Sequence, residues 1–334
     1  MKIVVFEVES WEWPTFEVLQ QEHRVVFEAG PLTREVAGDY ADADIISTFI
    51  YSDLSGGVLK RFDNLKFIAT RSTGVDHIEI EHCRDRGIQV ANVPTYGENT
   101  VAEHVFALLL AISHHLVGAI DRTRKGDFSQ VGLRGFDLCG KTMGVIGTGN
   151  IGRHTAKIAK GFGMDVVAFD VRPDRAAAEE IGFEYLDLNA LLGRADVVSL
   201  HVPGTERTKH LMSNAEFSAM KRGAVLINTA RGPVVDIRAL LQALASGQLA
   251  AAGLDVLPEE PVIREEAELL RSAFTKEHDL ETLLADHILL RLRNVVITPH
   301  SAFNTKEAVQ RILNTTRDNI QAFIAGQPQN VVAG

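Results

Sequence analysis

The sequence predicts an α/β protein of two doubly wound parallel sheets, and three observations carry that expectation. Short β-branched runs alternate with helix-period stretches from the first residues onward, the pattern of parallel strands joined by crossover helices. The alternation breaks at residues 121–140 and restarts at Lys141, so a second sheet is expected. The length of 334 residues also exceeds what one hydrophobic core usually serves.

Residues 3–8, 24–28, 44–49, 66–70 and 88–92 read as the strands of the first sheet. A long helix is expected over 99–116, apolar at Val101, Val105, Leu108, Leu109 and Ile112, with Asn99 or Thr100 suited to cap it. Residues 121–140 mix charge, glycine and aromatics without a period. They read as a loop or arm that packs on another subunit, so a homodimer is expected. Runs at 142–146, 165–170, 196–202, 224–229, 251–256 and 294–298 give the second sheet six strands, as in a Rossmann-like or flavodoxin-like domain. The last helix, over 304–325, lies beyond that count and is free to return to the first domain.

Composition narrows the function classes. Hydrophobic residues make up 46% and charged residues 23%, with no low-complexity tract, so the whole chain should fold. The net charge of −10 and the lack of a basic run argue against nucleic acid as a partner. An anionic substrate would then need individual arginines. Two cysteines, Cys83 and Cys139, are too few for a disulfide framework or a zinc cage, and no metal-ligand spacing appears; a reducing cytoplasm fits best. The start MKIVVFEVESWEWP reads as a first strand and not as a signal peptide, and the longest apolar run, 105–112, is too short to span a membrane.

The segment KTMGVIGTGNIGRHTAKIAKGFGMDVVAFD carries Gly147, Gly149 and Gly152 as GxGxxG between an apolar strand and an amphipathic helix. The first glycine permits a tight turn, the second lets backbone approach a pyrophosphate, and the third lets helix and strand pack closely. Asn150 and Ile151 begin the helix whose positive end would face the phosphates. Asp170 ends the next strand roughly 20 residues on, where a carboxylate accepts from ribose hydroxyls and repels a 2′-phosphate. NAD is therefore expected over NADP, although Arg172 and Arg175 lie nearby.

With these residues in hand, seven segments together resemble one family. They are TRSTGVDHI (70–78), VAEHVFALLL (101–110), GVIGTGNIG (144–152), SLHVP (199–203), INTARGPVVD (227–236), GLDVLPEEP (253–261) and ITPHSAF (297–303). The chain resembles the D-isomer-specific 2-hydroxyacid dehydrogenases, and within them the D-lactate dehydrogenase branch. The resemblance implies a substrate-binding domain of residues 1–99 plus 301–334, with an NAD domain of residues 100–300 inserted into it.

It also implies a reacting centre. Arg231, after a strand at the carboxyl edge of the sheet, has a guanidinium able to hold a substrate carboxylate and polarise a keto oxygen. An isolated arginine there reads first as half of a structural ion pair; the match of INTARG to the family pattern reverses that in favour of the substrate role. His300, in TPH, is an imidazole able to exchange a proton near neutral pH, and position alone separates it from the other histidines, 12 in all. Glu260, in PEEP, matches the carboxylate that favours the protonated histidine, and without the family pattern it is inseparable from Glu259.

By the same resemblance Thr73, Gly74 and Val75 would meet the substrate carboxylate, and Tyr51, Tyr96 and Phe303 would surround a small substrate side chain, favouring pyruvate. Val202, Pro203, Thr208, Thr229, Ala230 and Asp255 would continue the cofactor site toward the nicotinamide. Glyoxylate, hydroxypyruvate and branched 2-keto acids are alternative substrates, and an NAD-sensing corepressor-like scaffold is an alternative from another class. Residues 262–293 read as two charged amphipathic helices with an open role.

Overall fold

The amino-terminal β-branched runs form β1 (Lys2–Val5), β2 (Arg24–Phe27), β3 (Ile45–Thr48), β4 (Phe67–Thr70) and β5 (Gln89–Ala91). They pair in the order β5-β4-β3-β1-β2, all parallel. Both faces are covered: Val4, Phe6 and Ile46 enter one core, and Ile3, Val5 and Ile45 the other. That explains continuous apolar runs where a half-solvated sheet would alternate.

The computed structural model describes residues 1–75, 77–258 and 287–333. The chain divides into two units, Met1–Tyr96 with Asn304–Gly334, and Gly97–Phe303. The Lys306–Ile324 helix belongs to the first, placing Leu313 and Ile320 in one core with Ile3 and Phe67, and stacking Phe323 on Phe67 with centroids 4.4 Å apart. Beyond it, β13 (Val331–Ala333) adds to β5 antiparallel. This departs from the expectation of a purely parallel sheet, because three residues hold too little periodicity to be read as a strand.

The second unit contains β6 (Thr142–Ile146), β7 (Asp165–Phe169), β8 (Glu184–Tyr185), β9 (Val197–Leu200), β10 (Ala224–Asn228), β11 (Leu249–Leu254) and β12 (Val295–Ile297). Their order is β12-β11-β10-β9-β6-β7-β8, every pair parallel. The two-residue β8 raises the expected count from six to seven. Strand order reverses between β6 and β9, and the crevice outside the carboxyl ends at such a point is where open α/β sheets bind ligands.

The helix expected over 99–116 runs from Glu98 to Ser113 and buries Val105, Leu108, Leu109 and Ile112 against Met143, Val145, Val225 and Ile227. It stops where His115 turns left-handed, at φ 49°. A second helix, Leu116–Arg124, follows, so the loop expected from residue 121 begins later. In that loop Phe128 and Val131 are 80% and 81% exposed.

Candidate active site

The glycine motif lies at the carboxyl end of β6. Gly147 has φ 94°, and a Cβ there would sit 2.5 Å from the His201 carbonyl oxygen. A Cβ on Gly152 would lie 2.0 Å from the Gly147 carbonyl oxygen, so only glycine lets helix and turn approach this closely. Gly149 differs: among the described residues nothing lies within 4 Å of its Cβ direction. It caps the Asn150–Gly161 helix, leaving Asn150 and Ile151 in the first turn where N–H groups and the helix dipole favour an anion.

Asp170 immediately follows β7, and its carboxylate is fixed. Oδ2 accepts from the Thr148 amide at 2.7 Å and the Thr148 hydroxyl at 3.0 Å, and Oδ1 accepts from the Arg172 amide at 2.8 Å. Partial burial alone would raise its pKa, but these hydrogen bonds, with Arg153 nearby, outweigh it and hold the carboxyl below its ordinary value. Thr148 Oγ1 also lies 2.7 Å from the Tyr185 hydroxyl. Since the Thr148 hydroxyl proton goes to Asp170, the tyrosine hydroxyl donates to threonine. Thr148, Tyr185 and Arg153 thus support Asp170, and sequence reading missed them; Thr148 inside GTGNIG was the available signal.

Val202 and Pro203 follow β9, and Thr208 closes their turn by donating to the Pro203 carbonyl and accepting from the Thr205 amide at 2.9 Å. After β10, Ala230 is buried, and the Thr229 hydroxyl oxygen is buried without a hydrogen-bond partner among the described residues. An orphaned hydroxyl here, the open side of Gly149 and the preset Asp170 fit a dinucleotide. From β7 to β10 the sheet spans three strand spacings, about 14 Å, so these features form one row on the carboxyl edge.

That edge continues through Arg231 and His300. Arg231 follows β10, where Asn228 braces the turn: its Oδ1 accepts from the Ala230 amide and its Nδ2 donates to the Arg231 carbonyl, both at 3.0 Å. Gly232 packs so tightly on the Leu257–Pro258 backbone that a Cβ would come within 2.2 Å of it. His300 follows β12 with φ 52°, its amide bonded to the Asp255 and Thr298 carbonyls at 2.9 Å each. Arg231 and His300 therefore leave β10 and β12, which flank β11.

Asp255 follows β11 and is 1% exposed. It is expected along the cofactor, and its carboxylate also gathers its own loop. Oδ1 accepts from the Thr298 hydroxyl at 2.5 Å and the Ser301 amide at 2.9 Å, and Oδ2 from the Ala302 amide at 2.9 Å. Burial alone would raise its pKa, but His104, Thr298 and the Ala302 and Ser301 amides together depress it. His104 Nε2 lies 2.9 Å from Thr298 Oγ1 and 3.4 Å from Asp255 Oδ1. Because the single Thr298 hydroxyl proton goes to Asp255, His104 Nε2 carries the proton it donates to Thr298. Glu260 lies outside the described residues.

In the first unit, Thr73 donates to the Val93 carbonyl at 2.7 Å and its own carbonyl accepts from Asn92 Nδ2 at 2.7 Å. Ser72 Oγ donates to the Gly74 carbonyl at 2.6 Å, and the Val75 carbonyl accepts from Ile78. Tyr51 is half exposed and meets Phe49 edge to face at 5.6 Å, and the Tyr96 carbonyl accepts from Arg311. Phe303 is half-buried and closes the second unit.

Residues 106–302 match the family model described as "D-isomer specific 2-hydroxyacid dehydrogenase, NAD binding domain". The chain is 36% identical over 301 residues to the D-lactate dehydrogenase of Escherichia coli K12, covering 89% of this chain and 88% of that one. It is 38% identical over 299 residues to the glyoxylate reductase of Thermococcus litoralis, covering 87% and 84%. Among solved structures, the D-lactate dehydrogenase of Aquifex aeolicus, complexed with NAD and lactic acid, superposes with a TM-score of 0.87 at 35% identity, over 99% of both chains.

Proposed function

The chain belongs to the D-isomer-specific 2-hydroxyacid dehydrogenases and is an NAD-dependent oxidoreductase, and from that premise we propose that it reduces pyruvate to D-lactate. One observation carries the assignment of the reacting residues: Arg231 and His300 leave the carboxyl ends of β10 and β12 on the same edge as the glycine motif.

Bound NADH supplies a hydride to C2 of the keto acid. Arg231 holds the carboxylate by a charge-assisted fork and stabilises negative charge developing on the keto oxygen. His300 Nε2 or Nδ1 gives that oxygen its proton, and Glu260 favours the protonated imidazole. Asp170 accepts from the adenosine ribose hydroxyls, Gly147, Gly149, Asn150, Ile151 and Gly152 admit the pyrophosphate, and Val202, Pro203, Thr208, Thr229 and Ala230 line the remainder. Asp255 continues the cofactor site toward the nicotinamide and holds the His300 turn. Thr73, Gly74 and Val75 receive the substrate carboxylate, and Tyr51, Tyr96 and Phe303 limit the substrate side chain. The exposed Phe128 and Val131 support a homodimer whose arm covers them.

Glyoxylate is the second reading, favoured by the 38% identity to the Thermococcus litoralis glyoxylate reductase. The test follows NADH absorbance with purified protein against pyruvate, glyoxylate, hydroxypyruvate and 2-ketoisocaproate. The highest kcat/KM with pyruvate is expected. A higher value with glyoxylate would replace lactate by glycolate as product, and no turnover with any of the four would sink the proposed reaction.

A further inference from the structure

At the carboxyl end of β1 stands a residue whose conformation calls for an explanation. Glu7 has φ 53°, the left-handed region, which an L side chain adopts only at a cost relative to ordinary backbone. Glycine or asparagine would adopt it more cheaply. The side chain supplies the reason. Its Oε2 accepts from the Phe49 amide at 2.8 Å and the Ser52 hydroxyl, and its Oε1 accepts from the Tyr51 amide at 2.9 Å. Ser52 Oγ in turn accepts from the Leu32 amide at 2.9 Å, so its one proton is directed at Glu7. A single carboxylate therefore holds three donors of the turn that follows β3.

The backbone of Glu7 is locked as well. Its amide donates to the Gly30 carbonyl at 3.0 Å. Arg71, 3% exposed, directs Nη2 at the Phe6 and Glu7 carbonyls, 2.7 and 2.6 Å away, and Nη1 at Ser47 Oγ, 3.1 Å away. The Arg71 amide donates to the Thr48 carbonyl at 2.7 Å. Arg71 also leads directly into Thr73, Gly74 and Val75. One buried arginine and one left-handed glutamate thus tie the ends of β1, β3 and β4 together. The two loops they fix are the one carrying Tyr51 and the one carrying the Gly74 and Val75 amides.

We propose that Glu7 is a specificity-determining positioning residue, whose carboxylate holds the 49–52 turn and so sets how large a substrate side chain Tyr51 admits. The proposal rests on the reading of Tyr51 as a wall around the substrate side chain. Glu7 touches neither substrate nor cofactor in this role; it acts through the turn. A glutamine cannot fully substitute, because its amide nitrogen would face either the Tyr51 amide or the Phe49 amide and Ser52 hydroxyl, where an acceptor is needed. Freed of one anchor, the turn relaxes, and discrimination that depends on pocket size weakens.

The test measures kcat/KM of wild type and Glu7→Gln for pyruvate and for 2-ketoisocaproate, with the NADH dissociation constant by fluorescence as a second readout. Glu7→Gln is expected to lower the pyruvate-to-ketoisocaproate ratio about tenfold, within the range one or two methylenes command in a fitted pocket, while NADH affinity stays within about twofold of wild type. Equal losses with both substrates, or an unchanged ratio, would mean that Glu7 supports the fold alone and would overturn the proposal. If Glu7→Gln does not fold, Ser52→Ala removes one donor from the same carboxylate. It is expected to shift the ratio in the same direction by about threefold, and an unchanged ratio would again overturn the proposal. Wild type that turns over neither keto acid would instead refute the functional reading beneath it.

Discussion

Replacing Asp255 with alanine removes the acceptor around which the His300 turn is built, and the structure sets the scale of the loss. The carboxylate accepts from the Ser301 and Ala302 amides and the Thr298 hydroxyl, with His104 adjacent, at a site 1% exposed. Each buried donor left without a partner costs about 1–3 kcal/mol, and removal of one member of a buried charged network typically costs about 3–5 kcal/mol in all. Asp255→Ala should therefore lose about 3–5 kcal/mol in urea unfolding followed by far-UV circular dichroism. The left-handed backbone of His300 keeps its bond to the residue 255 carbonyl but loses the carboxylate that gathers the residues around it. If the released turn relaxes by the roughly 1–2 kcal/mol that a left-handed residue costs, kcat should fall about 5- to 30-fold beyond any loss of folded protein. The reasoning also fixes a pH dependence. The Asp255 pKa is depressed in the folded state, so its contribution is complete above the unfolded carboxylate value and is lost as pH falls through the lower folded value. Between pH 5 and 7 the wild-type and Asp255→Ala stabilities should run parallel. A loss below 1 kcal/mol with kcat preserved would refute the account of Asp255 as the organiser of this turn.

Four further outcomes are expected. Asp170→Ala should raise KM for NADH about tenfold while leaving or improving KM for NADPH, because the carboxylate that accepts from a ribose also repels a 2′-phosphate; an unchanged NADH-to-NADPH preference would refute the ribose role. His300→Ala should lower kcat by about 10²–10⁴-fold, the usual reach of a general acid, and Arg231→Lys should raise KM for pyruvate by losing the bidentate fork; stopped-flow and steady-state NADH assays separate the two. His201 is half-buried beside Ser199, and the removal of its ring from water pushes its pKa down to about 3. The unfolded chain binds its proton near 6.5, so stability is complete above that value and falls as pH drops toward 3. From pH 7 to 5 this one histidine should cost about 2 kcal/mol, and His201→Asn should shrink the measured pH dependence by that amount.

The strands were legible because parallel sheets buried on both faces impose unbroken apolar runs, and Ile3–Val5 and Val166–Ala168 are such runs. What escaped was short or held from a distance. β8 has two residues, and β13 has three and is fixed by buried amides elsewhere in the chain: Asn330 Nδ2 donates to Asn319 Oδ1 at 2.8 Å, and Asn319 Nδ2 to the Asn92 carbonyl at 2.9 Å. No local period encodes a partner 227 residues away. The nucleotide half of the site was legible for the opposite reason. Its geometry is backbone geometry, and close approach at Gly147 and Gly152 leaves glycine as its mark in the sequence.

The reacting half leaves no such mark, and the left-handed residues show why. Where glycine takes a positive φ, the sequence announces it. Among the described residues Glu7, His115, His210, His300 and Asn330 take one without glycine. Each therefore needs interactions from elsewhere to hold it, and those interactions are long-range: Glu7 is held by Arg71 and by the turn at 49–52, His300 by the Asp255 carbonyl and the loop its carboxylate gathers. A side chain that must stand in a fixed direction is worth such a network; a turn that merely reverses the chain is served by glycine. Among the described residues the conformation thus narrows the acids to Glu7 and the histidines to His115, His210 and His300, by a criterion that residue type and spacing do not contain.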